Sequence, residues 1–374
     1  MSTVTNIDIG IIGGGSAGIT LASKLSAHQL NKDTVVFEPK TPEQRECCWS
    51  LWATSEQREQ FKHAILGSWK KWRLIDESKE VLLKSHDYQY TCLSSAKYLR
   101  HNEESLAGKV SLQRTSVDNL TFSSELHRFE VAGNQYCAKE VFDSRRSPVV
   151  EGSLQQHFLG WEIRTKHPIL DANTATLMDF RVDQSKGLHF IYALPFSSNH
   201  LFIESTMISN KIEAKEWYRD AISEWLTRQG IEIREHLREE VGVISMQEPQ
   251  KNISRAPTIG GASGAVRLSS GYAFTAIQTQ MTKLTEGIVK GDYKVPAATS
   301  NHLNFMDRVF NDVLISNPRL GVDLFMRTAG ALKGDQFAHF MLGSASLTGW
   351  LKVINAMPKW PFIKAVWRQV LSHD

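Results

Sequence analysis

The stretch that decides the fold is Ile7-Asp8-Ile9-Gly10-Ile11-Ile12-Gly13-Gly14-Gly15-Ser16-Ala17-Gly18. It begins as a short β-branched run, typical of a buried strand, and ends in a glycine-rich turn. Residues 19–30 then carry apolar side chains at helical spacing, and a second strand-like run covers residues 33–37. A strand, a glycine turn, a helix and a second strand within about 30 residues predict a βαβ unit of the Rossmann type.

The glycine turn has the spacing of a dinucleotide-binding site. Gly13 allows the tight turn, Gly15 lets a pyrophosphate approach the backbone, and Gly18 lets helix and strand pack closely. The N-terminus of the helix offers free N–H groups and a partial positive charge to the phosphates. Glu38 lies 20 residues after Gly18, where a carboxylate can accept hydrogen bonds from ribose hydroxyls. The position at the extreme N-terminus favours FAD over NAD, although a turn without a ligand remains an alternative.

Bulk composition excludes several classes of protein. The chain has 374 residues, with 43 Lys and Arg against 40 Asp and Glu, and a net charge of +3 gives no reason to expect a nucleic-acid partner. Its four cysteines form no CxxC pair, so we expect reduced thiols in a cytosolic protein and no metal site. We see neither a signal peptide nor an apolar run long enough to span a membrane.

Periodicity outlines the rest of the chain. Residues 47–72, rich in tryptophan, are predicted to be largely helical, and an amphipathic helix is predicted over residues 213–229. Residues 255–274, rich in Gly and Ser, should form a loop that enters a helix. Predicted strands lie between these parts of the chain, at residues 130–142, 160–164, 175–182, 189–194 and 200–203.

Four further segments carry a family resemblance. They are Asp143-Ser144-Arg145, Gln156-His157-Phe158-Leu159-Gly160-Trp161-Glu162-Ile163, Met178-Asp179-Phe180-Arg181, and the run from Phe190 to Ser197 closed by Leu201-Phe202-Ile203-Glu204-Ser205-Thr206. In this order and spacing they resemble the FAD-dependent lycopene cyclase family. The resemblance continues over residues 260–274 and at Ala356-Met357-Pro358, and it covers nearly the whole chain.

This resemblance implies an isomerase that closes a ring at the end of a linear polyene. Members of the family protonate a terminal double bond with a carboxylic acid, a neighbouring alkene attacks the cation, and loss of a proton ends the reaction. Reduced FAD is required but not consumed, and NAD(P)H serves only to reduce it. The substrate most strongly implied is the carotenoid lycopene.

The resemblance also implies the architecture. We expect an α/β fold in which a Rossmann-type FAD-binding domain carries an inserted β-sheet substrate domain and a C-terminal helical region. The predicted bounds are 1–58 for the FAD-binding βαβ unit, 59–100 and 146–245 for the substrate-binding sheet domain, 101–145 and 246–300 for the remainder of the FAD-binding domain, and 301–374 for the helical region.

Glu204 matches the acidic motif of the family and is the predicted proton donor. It follows Leu201-Phe202-Ile203 on an apolar strand, where desolvation would keep the carboxyl protonated to higher pH. The alternative is a carboxylate salt-bridged at a strand end. The family motif usually carries a second acidic residue at the position of Ser205, and its absence weakens any scheme in which adjacent carboxylates share the work. Three aromatic residues are predicted either to line the substrate pocket or to belong to the core: Trp161, Tyr192 and Phe196.

Arg267 stands where many members of the family have a histidine. Arginine cannot act as a general base at ordinary pH, so the final proton needs another acceptor. We expect Arg267 to have a catalytic role instead, by holding flavin or its phosphates or by fixing reduced flavin as an anion. Neighbouring residues are predicted to contact the cofactor: Gly260, Gly261, Ser270, Gly271 and Tyr272.

The C-terminal region mixes apolar aromatic residues with Lys and Arg. This pattern is typical of an interfacial helix, and a peripheral position on the inner membrane would give access to a hydrocarbon substrate. A helical bundle packed on the substrate domain explains the pattern equally well.

Other functions fit parts of the sequence. The same fold serves flavin monooxygenases and halogenases, although the Trp-x-Trp-x-Ile-Pro run of tryptophan halogenases is absent. A cyclase-like enzyme acting on another prenyl or polyene substrate, or a non-catalytic flavin- or carotenoid-binding protein, are further alternatives.

Overall fold

The computed structural model of the chain describes residues 4–123, 125–250 and 256–371. Its strands are β1 (Val4–Ile12), β2 (Thr34–Phe37), β3 (Cys48–Ala53), β4 (Ile65–Trp69), β5 (Lys71–Ile75), β6 (Glu80–Lys84), β7 (Gln89–Ser94), β8 (Val110–Gln113), β9 (Asp118–Ser123), β10 (Leu126–Val131), β11 (Asn134–Asp143), β12 (Gln155–Thr165), β13 (Thr174–Asp179), β14 (Leu188–Ser197), β15 (His200–Ser209) and β16 (Ile233–Ser245).

Its helices are α1 (Ser16–Ala27), α2 (Ser55–Gln60), α3 (Ser95–Glu104), α4 (Lys215–Arg228), α5 (Phe274–Val289), α6 (Asn301–Ser316), α7 (Gly321–Ala331), α8 (Gly334–Met341), α9 (Leu347–Ala356) and α10 (Lys359–Leu371).

The first sheet has the strand order β8-β2-β1-β11-β10-β9. Strands β8, β2, β1 and β11 are parallel, and β10 and β9 form an antiparallel edge. Helices α1 and α5 pack together over one face, where Ile9, Leu21 and Met281 share one buried core. The predicted Rossmann-type βαβ unit is confirmed, and its helix begins at Ser16, directly after the glycine turn.

The second sheet has the order β16-β12-β15-β14-β13-β5-β6 and is antiparallel apart from the pairing of β13 with β5. Helix α4 covers one face, with Ile222 and Trp225 packed against Ile203. The other face turns towards the interior of the molecule. Because the central strands are covered on both faces, polar side chains among them lie in a low-dielectric environment.

A third sheet, of order β3-β7-β4, corrects the sequence-based prediction for residues 47–72. These residues form three strands and one six-residue helix, α2, rather than a largely helical segment. The spacing of Trp49, Trp52, Trp69 and Trp72 was misleading, because aromatic residues are also favoured in strands. Trp52 and Trp72 are fully buried between the sheets.

Helices α6–α10 follow the sheets and close the interior from one side. Phe325 and Phe337, from α7 and α8, join the same buried core as Trp72 and Phe180. None of the helices in the described part of the chain is long and apolar enough to cross a membrane. The proposed division of the chain into domains remains a prediction.

Candidate functional site

The glycine turn between β1 and α1 has the conformation that its sequence requires. Gly13 has φ +89°, a value that favours glycine, and its N–H donates to the carbonyl of Phe37 over 2.8 Å. A Cβ on Gly18 would lie 1.9 Å from the Gly13 carbonyl oxygen, so no side chain fits there. Helix α1 has no side-chain cap at Gly15, which leaves its first N–H groups available to an anion.

Glu38 lies at the end of β2, beside this turn. Its Oε2 accepts a 2.9 Å hydrogen bond from the Gly14 N–H and lies 3.4 Å from Nη1 of Arg45, while Oε1 accepts from the Lys40 N–H. These donors hold the carboxylate at the rim of the turn. The position suits recognition of the ribose of a bound dinucleotide.

Two buried hydroxyls test whether a dinucleotide fits. Within the described residues, the Oγ atoms of Ser16 and Ser270 are buried and have no hydrogen-bond partner. Both serines line the same cavity, and an ideal Cβ on Gly15 meets nothing within 4 Å. Buried polar atoms are almost always paired, so these two hydroxyls and the uncapped helix fit a polar ligand such as FAD.

One continuous cavity of about 1510 Å³ links the glycine turn to the C-terminal helices. It passes the inner face of the second sheet before reaching α9 and α10. Of the predicted cofactor residues, those that line it are Gly13, Gly15, Glu38, Gly261, Ser270, Gly271 and Tyr272. Gly18 and Gly260 instead permit close packing, since a Cβ on Gly260 would lie 2.5 Å from Cβ of Ala17.

Glu204 lies in the middle of β15 and faces this cavity. The residue is only 8% exposed. Within the described residues, Glu204 has one side-chain hydrogen bond, which the Thr206 hydroxyl donates, and no ion pair. Burial raises the pKa of Glu204 to about 8, with a smaller contribution from the charge of Glu240. Thus the side chain is a protonated acid near neutral pH rather than a salt-bridged carboxylate.

A chain of tyrosine hydroxyls lies beside Glu204. Tyr192 pairs with Glu204 across the strands, and its hydroxyl is 2.8 Å from those of Tyr90 and Ser50. The Tyr90 hydroxyl is also 2.7 Å from that of Tyr272. Burial raises the pKa values of all three phenols. They therefore remain neutral and present polar, polarisable groups to the cavity.

Arg267 is placed differently from the sequence-based expectation. Its guanidinium forms a buried ion pair with Asp307, at 3.3 Å, donates to the Phe340 carbonyl and lies 5.1 Å from the centre of the Phe340 ring. Because its charge is already matched by Asp307, it is poorly suited to hold a flavin anion. Although Arg267 borders the cavity, its contacts tie the loop before α5 to α6 and α8.

Two of the predicted pocket aromatics do not line the cavity. Trp161 follows Gly160 on β12 and therefore points to the opposite face, where its indole N–H donates to Glu239. Phe196 stacks on Phe202 and Trp69 behind the cavity wall. Tyr192 alone of the three borders the cavity. Alternation of side chains along each strand was predictable, but the face that each strand presents to the cavity was not.

Sequence analysis also missed Glu240 of β16. This residue is 8% exposed and borders the cavity beside Glu204. In the sequence it appears as the second carboxylate of Arg238-Glu239-Glu240, a charged run that resembles a solvated edge. Only the pairing of β16 with β12 brings it to the site.

The fold and the dinucleotide site define a class, the FAD-dependent oxidoreductase and monooxygenase fold. A geranylgeranyl bacteriochlorophyll reductase-like protein from Thermoplasma acidophilum superposes with a TM-score of 0.64 at 13% identity, over 98% of this chain and 100% of that one. A variant of the halogenase PltM in complex with FAD gives 0.57 at 11% identity, over 98% and 96%. These similarities establish the fold of this chain.

Sequence comparison narrows the class to one family. The family model "Lycopene cyclase protein" matches residues 8–362, and the chain belongs to the lycopene cyclase family. A lycopene beta-cyclase of Pantoea ananas is 22% identical over 98% of both chains. A chloroplastic neoxanthin synthase of Solanum tuberosum is 26% identical over 76% of this chain and 61% of its own length.

Proposed function

We propose that this protein is a flavin-dependent cyclase that closes a ring at an end of a linear polyene, lycopene by preference. The observation that supports this most is Glu204: a buried, protonated carboxyl group that faces a long cavity with no charge partner in the described residues. A carboxylic acid protonates an unactivated alkene more readily where water is excluded, because water would otherwise compete for the proton. Family membership supports a carotenoid as substrate.

The residues of the cavity have separable tasks in this scheme. The glycine turn and Glu38 bind the dinucleotide, while apolar side chains such as Leu177 and Phe190 exclude water around the polyene. Glu204 donates the proton, and the faces of Tyr192 and Tyr272 stabilise the cation that follows. Bound FAD, once reduced by NAD(P)H, would supply a negative charge near that cation and would not be consumed.

The C-terminal helices suit delivery of the substrate from a membrane. Ile363 and Trp367 of α10 border the cavity yet are 44% and 64% exposed, and Trp360 on the same helix is 67% exposed. Lys359 and Lys364 flank these apolar side chains. An exposed apolar patch at a cavity mouth, with basic residues beside it, favours peripheral docking on lipid.

Expression in cells that accumulate lycopene tests the proposal. We expect the wild-type chain to yield cyclic carotenes. Glu204→Gln keeps the size and hydrogen-bonding capacity of the side chain but removes the acid, so it should abolish cyclic products while flavin stays bound. Glu235→Gln, at an exposed position of β16, is the matched control and should retain full activity. Absence of cyclic carotene from the wild-type cells, with the protein present and loaded with flavin, would refute the proposal.

A further inference from the structure

A row of three residues crosses the second sheet beside the cavity. Gly160 on β12 pairs with Glu204 of β15 on one side and with Glu240 of β16 on the other. Directly paired residues point to the same face of a sheet, so both carboxyl groups point to the cavity face, and both border the cavity. Neighbouring strands are about 4.8 Å apart, which places the two backbones about 10 Å apart with a glycine between them.

The two carboxyl groups have different surroundings. Glu240 accepts hydrogen bonds from Nη1 of Arg238 at 2.5 Å and from the Cys48 N–H at 3.2 Å. Among the residues that the structure describes, only Thr206 donates to the carboxyl group of Glu204. Donors of this kind stabilise an anion, and an uncharged hydroxyl does so less. Burial raises the pKa of both, but Arg238 opposes the rise at Glu240. The surroundings therefore keep the proton on Glu204 and favour the charged form of Glu240.

Arg238 is itself held in place. Its guanidinium also contacts Glu162, at 3.2 Å, and Glu162 accepts from His200. This arrangement fixes the arginine beneath Glu240, and Arg238 does not border the cavity. One face of the Glu240 carboxylate is thus satisfied by donors, while the residue still reaches the cavity.

We infer that Glu240 is the base that accepts the proton released by the cyclised cation, so that Glu204 and Glu240 form an acid–base pair on either side of Gly160. This inference rests on the proposed function. Glu240 would accept the final proton, which neither Ser205 nor Arg267 can accept. The side chain of Ser205 points away from the cavity, and its Oγ lies 2.9 Å from Nε2 of His189.

The steps balance without any further reactant. The O–H bond of Glu204 breaks as a C–H bond forms at the terminal alkene, and the neighbouring alkene closes the ring with a new C–C bond. A C–H bond next to the resulting cation then breaks, its electron pair becomes the ring double bond, and the proton passes to Glu240. Glu240 then releases that proton to water and Glu204 takes up another from water, which restores the enzyme, and no electrons are gained or lost.

The test compares Glu240→Gln and Glu240→Asp with Glu239→Gln in the full-length flavin-loaded protein. Glu239 is the matched control, because it lies next to Glu240 but points to the opposite face, towards Arg219. We expect Glu240→Gln to lower the rate of cyclisation by about 100-fold or more. Its residual product should carry the ring double bond at a different position, because another acceptor then removes a different proton. Glu240→Asp should restore the wild-type position.

The position of the double bond separates a base from a residue that only supports the site. A slower Glu240→Gln enzyme whose product is unchanged would overturn the inference, as would wild-type rate. Flavin absorbance and the melting temperature show whether each variant is folded. If Glu240→Gln does not fold, the Glu240→Asp variant decides. A folded Glu240→Asp enzyme with unaltered rate and product supports the role of Glu240 as the base. A folded but inactive Glu240→Asp enzyme overturns that inference. Wild-type protein that forms no ring would instead refute the proposed function itself.

Discussion

Glu204 combines two properties that rarely occur together in a carboxylic acid. It is excluded from water, yet within the described residues it has no cation to balance its charge. Burial of such a carboxyl group costs little free energy when it is protonated and much when it is ionised, so the fold favours the protonated form of Glu204. The register of β15 between β12 and β14 determines that this proton faces the cavity.

The rate of cyclisation should therefore depend on pH in a defined direction. Burial raises the pKa of Glu204 to about 8, so the acid form is present below that pH and is lost as pH rises through it. As pH rises above about 8 we expect the single-turnover rate to fall about tenfold for each further pH unit. Turnover with pre-reduced flavin, with flavin occupancy recorded at each pH, measures this. A rate that already falls between about pH 4 and pH 6 would show an ordinary carboxyl group instead.

Substitution of Gly18 tests whether the glycine turn between β1 and α1 requires glycine at this position. Gly18→Ala would place a methyl group 1.9 Å from the Gly13 carbonyl oxygen, so the turn must shift. We expect flavin occupancy to fall and the free energy of unfolding to drop by about 1–3 kcal/mol. Gly330→Ala in α7 is the control, since its Cβ would meet nothing within 4 Å. That change should increase stability by about 0.5–1 kcal/mol. Equal behaviour of the two variants would contradict this account of the turn.

At the scale of elements, the C-terminal helices are joined to the loop before α5 by polar contacts as well as by apolar packing. Asp307 of α6 accepts from Arg267 and from the Ser269 hydroxyl, at 2.7 Å for the latter. Nδ2 of Asn311, one turn further along α6, donates to the carbonyl of Leu268. The loop that borders the cavity is thus held from the helical side.

Removal of the charge of Asp307 should lower the free energy of unfolding. Asp307→Asn leaves the Arg267 guanidinium buried without a counter-charge, and we expect a loss of about 3–5 kcal/mol in the free energy of unfolding. Asp312→Asn on the same helix is the control, because its partner Arg368 has a half-exposed side chain. The control should cost less than about 1 kcal/mol. Urea denaturation of both variants measures this, and a similar small loss in each would contradict a structural role for Arg267.

The elements differ in how far the sequence determines them. The βαβ unit was predictable because its turn requires glycine at positions 13 and 18. Strands β12–β15 were predictable because their residues are either continuously apolar or alternate between apolar and polar. Residues 47–72 were not, since tryptophans spaced by three suit a helix or a strand equally and only pairing with β7 decides. For the same reason the sequence could not decide whether Trp161 belongs to the pocket or to the core, and Glu240 was missed. Both depend on the register between distant strands, which no local pattern encodes.

At the scale of the whole molecule, the cavity is the feature that connects every part. It begins at the glycine turn, passes Glu204 and Glu240, and ends between α9 and α10. The end at α9 and α10 carries large, exposed apolar side chains, whereas the opposite end carries the N–H donors of the glycine turn. A long apolar molecule that enters between α9 and α10 would have its leading end directed at the acid.

Docking on lipid is the prediction that belongs to this scale. We expect the wild-type protein to float with anionic liposomes and the double variant Trp360→Ser, Trp367→Ser to lose most of this binding, since both indoles are more than 60% exposed. Leu82→Ser with Leu170→Ser, also exposed but remote from α10 in sequence, is the control and should float like the wild type. Wild-type protein that stays in the soluble fraction would contradict the prediction.

The central claim is that Glu204 donates a proton in a reaction without net redox change. Turnover of lycopene in D₂O with a known amount of reduced flavin tests it most directly. We predict one deuterium in each new ring, no loss of reduced flavin under anaerobic conditions, and neither product nor label with Glu204→Gln. A product that contains oxygen or halogen, or one equivalent of NAD(P)H consumed per product, would contradict the claim and indicate a monooxygenase-type reaction instead.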